Sequence, residues 1–292
     1  MKSSITIEPY VGLDDVRVVA INEHKEAAAC LAEAFADDEA ILYPFTAADM
    51  TQHTNEYKRK LHNEMMEYLT AAHIFNGLVT TVGPSYASVA IWLPPGRDID
   101  NWLTIVRSGL WRMYFRLSRQ GRQRFFDEFL PLLQDTKQEV LGERDDESYY
   151  LVYLGTKRKE QRKGQLIFRL EADLREQQAD FENRVCYLES TGSKNTDMYT
   201  ARGFVYKRTI HLNPYKAPIA LDIMVREPKL SPATHLPLTS LCYEVKSMSP
   251  LDVPSASIVK TTAATVNEDD GQSNADEEGG LGQMGVSALA AA

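Results

Sequence analysis

Residues 149–174 read YYLVYLGTKRKEQRKGQLIFRLEADL, and the organisation of the chain follows from them. Leu151 to Leu154 supply a buried strand. Leu166, Ile167, Leu170 and Leu174 recur at helical spacing on one face, with Arg169, Asp173 and Arg175 elsewhere; this predicts an amphipathic helix. Between strand and helix lies a basic loop, with Lys157, Arg158, Lys159, Arg162 and Lys163 around Gln161 and Gly164. A strand that enters a helix through such a loop makes a cradle for phosphate. The first N–H groups of the helix lack intrahelical partners, and the helix dipole favours an anion. An exposed basic loop or a nuclear-import run is the alternative reading.

The rest of the chain bounds what this unit belongs to. At 292 residues and 43% apolar, the chain has enough apolar content for one large domain or two small ones. Its net charge of −9 argues against a general nucleic-acid binder. From Leu251 onward there are seven Asp or Glu and one Lys, so the first 250 residues are only mildly acidic. Cys30, Cys186 and Cys242 are far apart and form no CxxC or Cys/His cluster; neither a disulfide framework nor a metal site is expected. The start, MKSSITIEPYVG, has no apolar core, and no apolar run approaches the roughly 20 residues needed to span a bilayer. The expectation is a cytoplasmic protein with no membrane partner, the basic loop leaving a nuclear address as the alternative.

Along the chain, Val16 to Ile21 reads as a strand, and Asn22 as the cap of a helix that buries Ala27, Leu31, Ala34 and Phe35. Asp37 and Asp38 then precede Ile41, Leu42, Tyr43 and Phe45. Acids beside aromatics suit an amine, although they also end helices and cover cores. Thr51 to about Ala72 predicts a second helix capped by Thr51, with Leu61, Met65 and Leu69 in its stripe. Phe75 to Val82 and Tyr86 to Leu93 form a hairpin around Gly83-Pro84-Ser85, and Trp92-Leu93-Pro94-Pro95-Gly96 ends it. Asp100 to about Gly142 reads as helical and aromatic-rich, either a lid or plain core. Pro131 either kinks the helix there or starts a new one. After the opening stretch come strand 185–189, a short helix from Asn195 to Arg202, and strands 204–212 and 220–225. Beyond about residue 229 the chain turns Pro/Ser/Thr-rich and then acidic and Gly/Ala-rich, which predicts a largely disordered tail.

Two pieces in this order carry a resemblance. The first is YLGTKRKEQRKGQL, with Gln161-x-x-Gly164; the second is CYLESTGSKNTDMYTARGF, with Asn195, Tyr199 and Gly203-Phe204 at fixed spacing. Together they resemble the GCN5-related N-acetyltransferase superfamily over roughly Val16 to Pro228. The WLPPG segment and the Leu188-Glu189-Ser190 strand end look most like its fungal small-molecule-type members. The resemblance implies an α/β fold, more closely an α+β mixed sheet, strongly twisted and flanked by helices. It places the acyltransferase domain at 1–228, a helical insertion at about 97–145 and the tail at 229–292. It implies acetyl-CoA as co-substrate, no metal, and a small-molecule amine as acceptor, the protein acting as a monomer or homodimer. Gln161, Arg162, Lys163, Gly164, Gln165 and Leu166 would hold the pyrophosphate, and Leu154, Gly155 and Thr156 the pantetheine arm. Leu166 stands where the family has a small residue, and Arg162 where it often has glycine. These departures keep a non-catalytic acyl-CoA-binding module as an alternative. The acidic tail keeps a histone-type lysine acetyltransferase as another.

Acyl transfer to an amine needs a neutral amine, a donor to the developing oxyanion and a proton for the leaving thiolate. An alkylamine has a pKa near ~10, so a carboxylate is the usual helper. Glu189, at the end of the strand beside the cofactor-bearing one, is the candidate base; capping the Thr191 or Gly192 amide is its structural alternative. Tyr199 occupies the family's tyrosine position and is the candidate general acid, against a core aromatic. Asn195 would bond the pantetheine arm or cap its helix. The six histidines are scattered, and no HExxH, GxSxG or full Walker loop occurs.

Overall fold

The structure is a computed structural model that describes residues 16–82, 85–160, 175–213 and 217–229, apart from the side chains of Ser193 and Lys194. All fall within one unit of the chain. The predicted strands pair into one seven-stranded mixed sheet in the order β1-β2-β3-β4-β5-β7-β6. Their ranges are β1 Val16–Val18, β2 Leu78–Val82, β3 Ser88–Leu93, β4 Tyr149–Thr156, β5 Cys186–Ser190, β6 Val205–Leu212 and β7 Ile219–Arg226. Every neighbouring pair is antiparallel except β4 and β5.

The helices are α1 His24–Ala34, α2 Asn55–Asn76, α3 Trp102–Ser108, α4 Arg112–Arg116, α5 Arg119–Arg122, α6 Leu130–Leu141, α7 at 175–181 and α8 Ser193–Thr200. They sort onto two faces. On one, Leu31 of α1, Leu61 and Met65 of α2 and Met113 of α4 join Val89, Ile91, Tyr187 and Ile223 in the larger core. On the other, Ala179 of α7 and Tyr199 of α8 meet Trp92, Leu151, Leu188 and Met224. Alternation along β5 sends Tyr187 to the first core and Cys186 and Leu188 to the second, the period of two that a strand imposes.

Several boundaries moved for local reasons. The cap of α2 is Thr54, whose hydroxyl accepts from the Tyr57 N–H at 3.2 Å, not Thr51, which donates to Ala48 O instead. The first strand stops at Val18, and Asn22 is not a cap. Glu23 reaches back to the Ala20 N–H at 3.0 Å and closes a 3₁₀ turn ahead of α1. Residues 100–142 are helical in pieces: Gly109 ends α3 at φ +81, a left-handed position that suits glycine. From α5 to α6 the helix is continuous through a π-helical stretch, Gln123–Phe129, so Pro131 falls in the first turn of α6 without breaking it. The wider turn delivers Phe125, Phe126 and Phe129 to the core; such π stretches inside helices often accompany functional sites. No described helix is long and apolar enough to cross a membrane.

Candidate active site

β4 and β5 pair at two positions only, Tyr149 with Cys186 and Tyr150 with Tyr187. Beyond them β4 stays with β3, and β5 stays with β7. Among the described residues, then, the sheet opens a gap toward the C-terminal ends of both strands, where open sheets take ligands. Beside that gap β4 carries a bulge. Ile91 opposes Tyr153 while Trp92 opposes Leu151, which leaves Val152 as the extra residue. The bulge resets the alternation, so Tyr150 and Tyr153 project from the same face although they are three residues apart. Tyr150 stands edge-on to Tyr187 at 5.5 Å, and Tyr153 edge-on to Phe35 at 5.7 Å and to His73 at 6.3 Å.

Glu189 lies on this face, opposite Ile223 of β7. Burial raises its carboxyl to about 7, while the phenols of Tyr150 and Tyr187, its own backbone N–H and the Lys137 charge act the other way. The phenols of Tyr150 and Tyr187 lie within hydrogen-bonding range of the carboxyl, yet Oε1 of Glu189 and the Tyr187 hydroxyl are both buried with no well-aligned hydrogen bond. Each is a polar atom facing the site with bonding capacity in hand. Burial holds all three tyrosines above their ordinary value, and the nearby Glu189 carboxylate adds to the shift in each. They are therefore neutral at physiological pH.

Asp38 lies in the turn after α1, bonded to the exit of β5. Its Oδ1 accepts the Ala40 and Ile41 N–H groups at 3.0 Å, ending the α1 exit turn, and Thr191 of the β5 exit donates to Oδ2. Its charge also reaches Tyr153 and His62. Burial lowers His62 to about 4, and its Nε2 has no partner. Two carboxyl groups, Glu189 and Asp38, thus act on the same tyrosine, Tyr153, on this side of the sheet.

The sequence-selected residues divide around the gap. Gly155 O accepts from Ser88 Oγ at 3.1 Å, and the Lys157 N–H donates to Ala87 O at 3.0 Å. Both peptide groups therefore face β3. Strand alternation then turns the N–H and C=O groups of Leu154 and Thr156 toward the gap. Gly155 is required for packing: a Cβ there would lie 2.8 Å from Ala34 Cβ and 3.0 Å from Leu31 Cδ2 of α1. Lys157 donates to Ser85 O, the Arg158 N–H donates to Glu33, and the Arg158 side chain pairs with Asp37. These two basic residues are thus engaged by the protein itself. Gln161, Arg162, Lys163, Gly164, Gln165 and Leu166 lie outside the described residues, as does the predicted tail.

Tyr199 sits on the other face from Glu189. Its ring meets Phe204 edge-on at 5.8 Å, and burial raises its phenol, with Arg202 opposing and Glu176 adding. Nearby, Arg202 pairs with Glu176 at 2.7 Å, and Arg226 pairs with Asp180 at 2.6 Å. This buried network ties α7 to β7 and to the turn after α8. Asn195 is exposed in the first turn of α8, and its N–H donates to Gly192 O at 2.9 Å. Sequence reasoning missed Tyr150, Tyr153 and Tyr187 as site residues. The Tyr-rich runs YYLVYL and CYLE were visible, but a strict period of two sends Tyr150 and Tyr153 to opposite faces. No group of three or more His, Cys, Asp or Glu among the described residues could hold a metal ion.

No protein-family model matches the chain. An uncharacterized N-acetyltransferase of Schizosaccharomyces pombe is 44% identical over 212 residues, which cover 72% of this chain and 82% of the relative. Among solved structures, one from Corynebacterium glutamicum, described as histone acetyltransferase HPA2 and related acetyltransferase, covers 75% of this chain and 98% of its own at 18% identity and TM-score 0.47. Arylalkylamine N-acetyltransferase 2 of Aedes aegypti covers 73% and 98% at 14% identity and TM-score 0.46. The Drosophila melanogaster polyamine N-acetyltransferase covers 73% and 98% at 12% identity and TM-score 0.45.

Proposed function

Because the chain belongs to the GCN5-related N-acetyltransferase superfamily, we propose that it uses acetyl-CoA and transfers the acyl group directly to the primary amine of a small molecule. The observation that carries this reading is Glu189, an enclosed carboxyl with a pKa of about 7 beside the gap between β4 and β5. A base poised near the working pH is what proton removal from an ammonium group requires. Asp38 and the three tyrosines give this side of the sheet the acidic and aromatic character that a cationic amine fits.

An acyl-CoA fits the gap on a feature of β4. The backbone of Leu154 and Thr156 turned toward it can receive a pantetheine arm as an added strand, and an N–H there can donate to the thioester carbonyl. Gln161 to Leu166 and Asn195 are the residues we assign to the remainder of the carrier. The bound thioester supplies an activated acyl carbon and a thiolate leaving group. Glu189 takes the amine proton directly or through one water. Tyr199, kept neutral by burial, is the donor we assign to the thiolate. It stands in the core on the opposite face of the sheet from Glu189. Cys30 and Cys186 are buried free thiols, which suits the reducing cytoplasm.

The test is acetyl-CoA-dependent thiol release across arylalkylamines, polyamines, amino acids and basic peptides. Turnover is expected on at least one small amine, with Glu189→Gln about 100-fold slower at pH 7. Absence of acetyl-CoA binding at high micromolar concentration would overturn the reading. Binding with no thiol release on any acceptor would leave a non-catalytic acyl-CoA module in its place.

A further inference from the structure

Asn101 to Arg124 holds six arginines and no acidic residue, in a chain of net charge −9. The same segment leaves apolar side chains outside. Of the ten large hydrophobics exposed among the described residues, five lie here: Trp102, Leu103, Val106, Trp111 and Phe115. Trp102 is 72% exposed and Phe115 66%, and Phe115 with Trp111 also lines a shallow surface depression beside Glu64 and Tyr68. α3 and α4 are not loose, because they anchor through Ile105, Met113 and Leu117. Arg107 lies over the Phe75 ring at 4.3 Å, and Arg112 over Trp111 at 5.4 Å and Tyr68 at 5.9 Å. Arg112 thereby stands beside the exposed Trp111 ring. Glu64 beside α4 is paired with Arg116 at 3.0 Å.

We propose that the α3–α4 face docks on an anionic lipid bilayer, with Trp102, Leu103, Val106 and Phe115 entering the headgroup boundary and Arg107, Arg112 and Arg119 pairing with lipid phosphates and carboxylates. Soluble proteins seldom leave an apolar patch of this kind uncovered. Helical faces that combine Trp, Phe and Leu with arginine bind membrane interfaces. A second copy of the chain is a poor occupant. A two-fold contact sets the same patch against itself and would place arginine against arginine. Nucleic acid is a poor occupant too, because Leu103 and Val106 offer no ring for a base to stack on. This departs from the sequence expectation of no membrane partner, and it does not depend on which amine the enzyme uses.

The full-length protein is sedimented with vesicles of phosphatidylcholine alone and of phosphatidylcholine with roughly 30% phosphatidylserine, at about 0.1 M salt. Binding to the anionic vesicles is expected to be at least about tenfold tighter, accompanied by a blue shift of tryptophan emission from Trp102 and Trp111. Trp92 is fully buried and contributes a constant background. W102S/F115S and R107E/R112E are each expected to lose about tenfold or more in vesicle binding while keeping the wild-type circular dichroism spectrum and thiol-release rate. No binding to anionic vesicles overturns the proposal, as does wild-type binding by folded W102S/F115S. So does a concentration-dependent dimer, or capture of an RNA oligomer, abolished by these substitutions in protein that ignores vesicles.

Discussion

Charging a carboxyl whose Oε1 has no well-aligned donor costs stability, and Glu189 can therefore be read from both activity and folding. Its folded pKa is about 7 against an ordinary value of 4.5. Between those values the folded protein keeps a proton that the unfolded chain has released, so this group lowers stability as pH rises through the window. The penalty is complete above pH 7 and amounts to about 3 kcal/mol. Glu189→Gln removes it, and the melting temperature of the variant should gain on wild type from pH 4.5 to 8. A variant that is less stable than wild type at pH 8 would mean that Glu189 is a structural cap. In kinetics, the wild-type kcat/KM should rise with a limb near pH 7. Glu189→Gln should lose that limb and follow only the deprotonation of the amine. Gly155 makes a separate residue-scale claim. Gly155→Ala would drive a methyl to 2.8 Å from Ala34 Cβ, and overpacking of this kind costs about 1–3 kcal/mol in chemical denaturation.

At the scale of elements, the inserted residue in β4 decides which side chains share the Glu189 face. Deleting Val152 would restore strict alternation. Tyr150 and Tyr153 would then stand two residues apart and keep one face, so the deletion leaves them in place and the tyrosines are tested by removing their hydroxyls. Tyr150→Phe combined with Tyr153→Phe should lower kcat/KM by about 100-fold, the order of a lost positioning contact, with the far-UV spectrum retained. Wild-type activity in the double variant would show that the hydroxyls take no part. The bulge also marks where the sequence stops being legible. The strand segments along the chain and Glu189 at a strand end were readable, because apolar period and glycine positions are local signals. The bulge was not readable, because it is a mismatch between β3 and β4 that neither strand shows alone. Thr54 replaced Thr51 as the cap of α2 for a related reason: both are Thr, and only the path of the chain between Met50 and Asn55 selects one.

For the molecule as a whole, the question is how much chain the chemistry needs. The seven described strands and the eight described helices lie between Val16 and Arg226, and the described residues of the two larger cores lie within that span. The acidic excess lies elsewhere, with seven Asp or Glu from Leu251 onward. If catalysis on a small amine is complete in residues 1–228, a chain ending at Lys229 should keep its kcat/KM for that amine within about twofold, a change near 0.4 kcal/mol. An acidic segment that recruited a basic protein would act differently. Its removal would weaken turnover of a lysine-rich peptide by tenfold or more, with a steep salt dependence in the intact chain that the shortened one lacks. Comparing the two acceptors in the two chains separates a small-molecule enzyme from a protein acetyltransferase, and parallel retention of both activities is the outcome the grouping of Glu189, Asp38 and three neutral tyrosines leads us to expect.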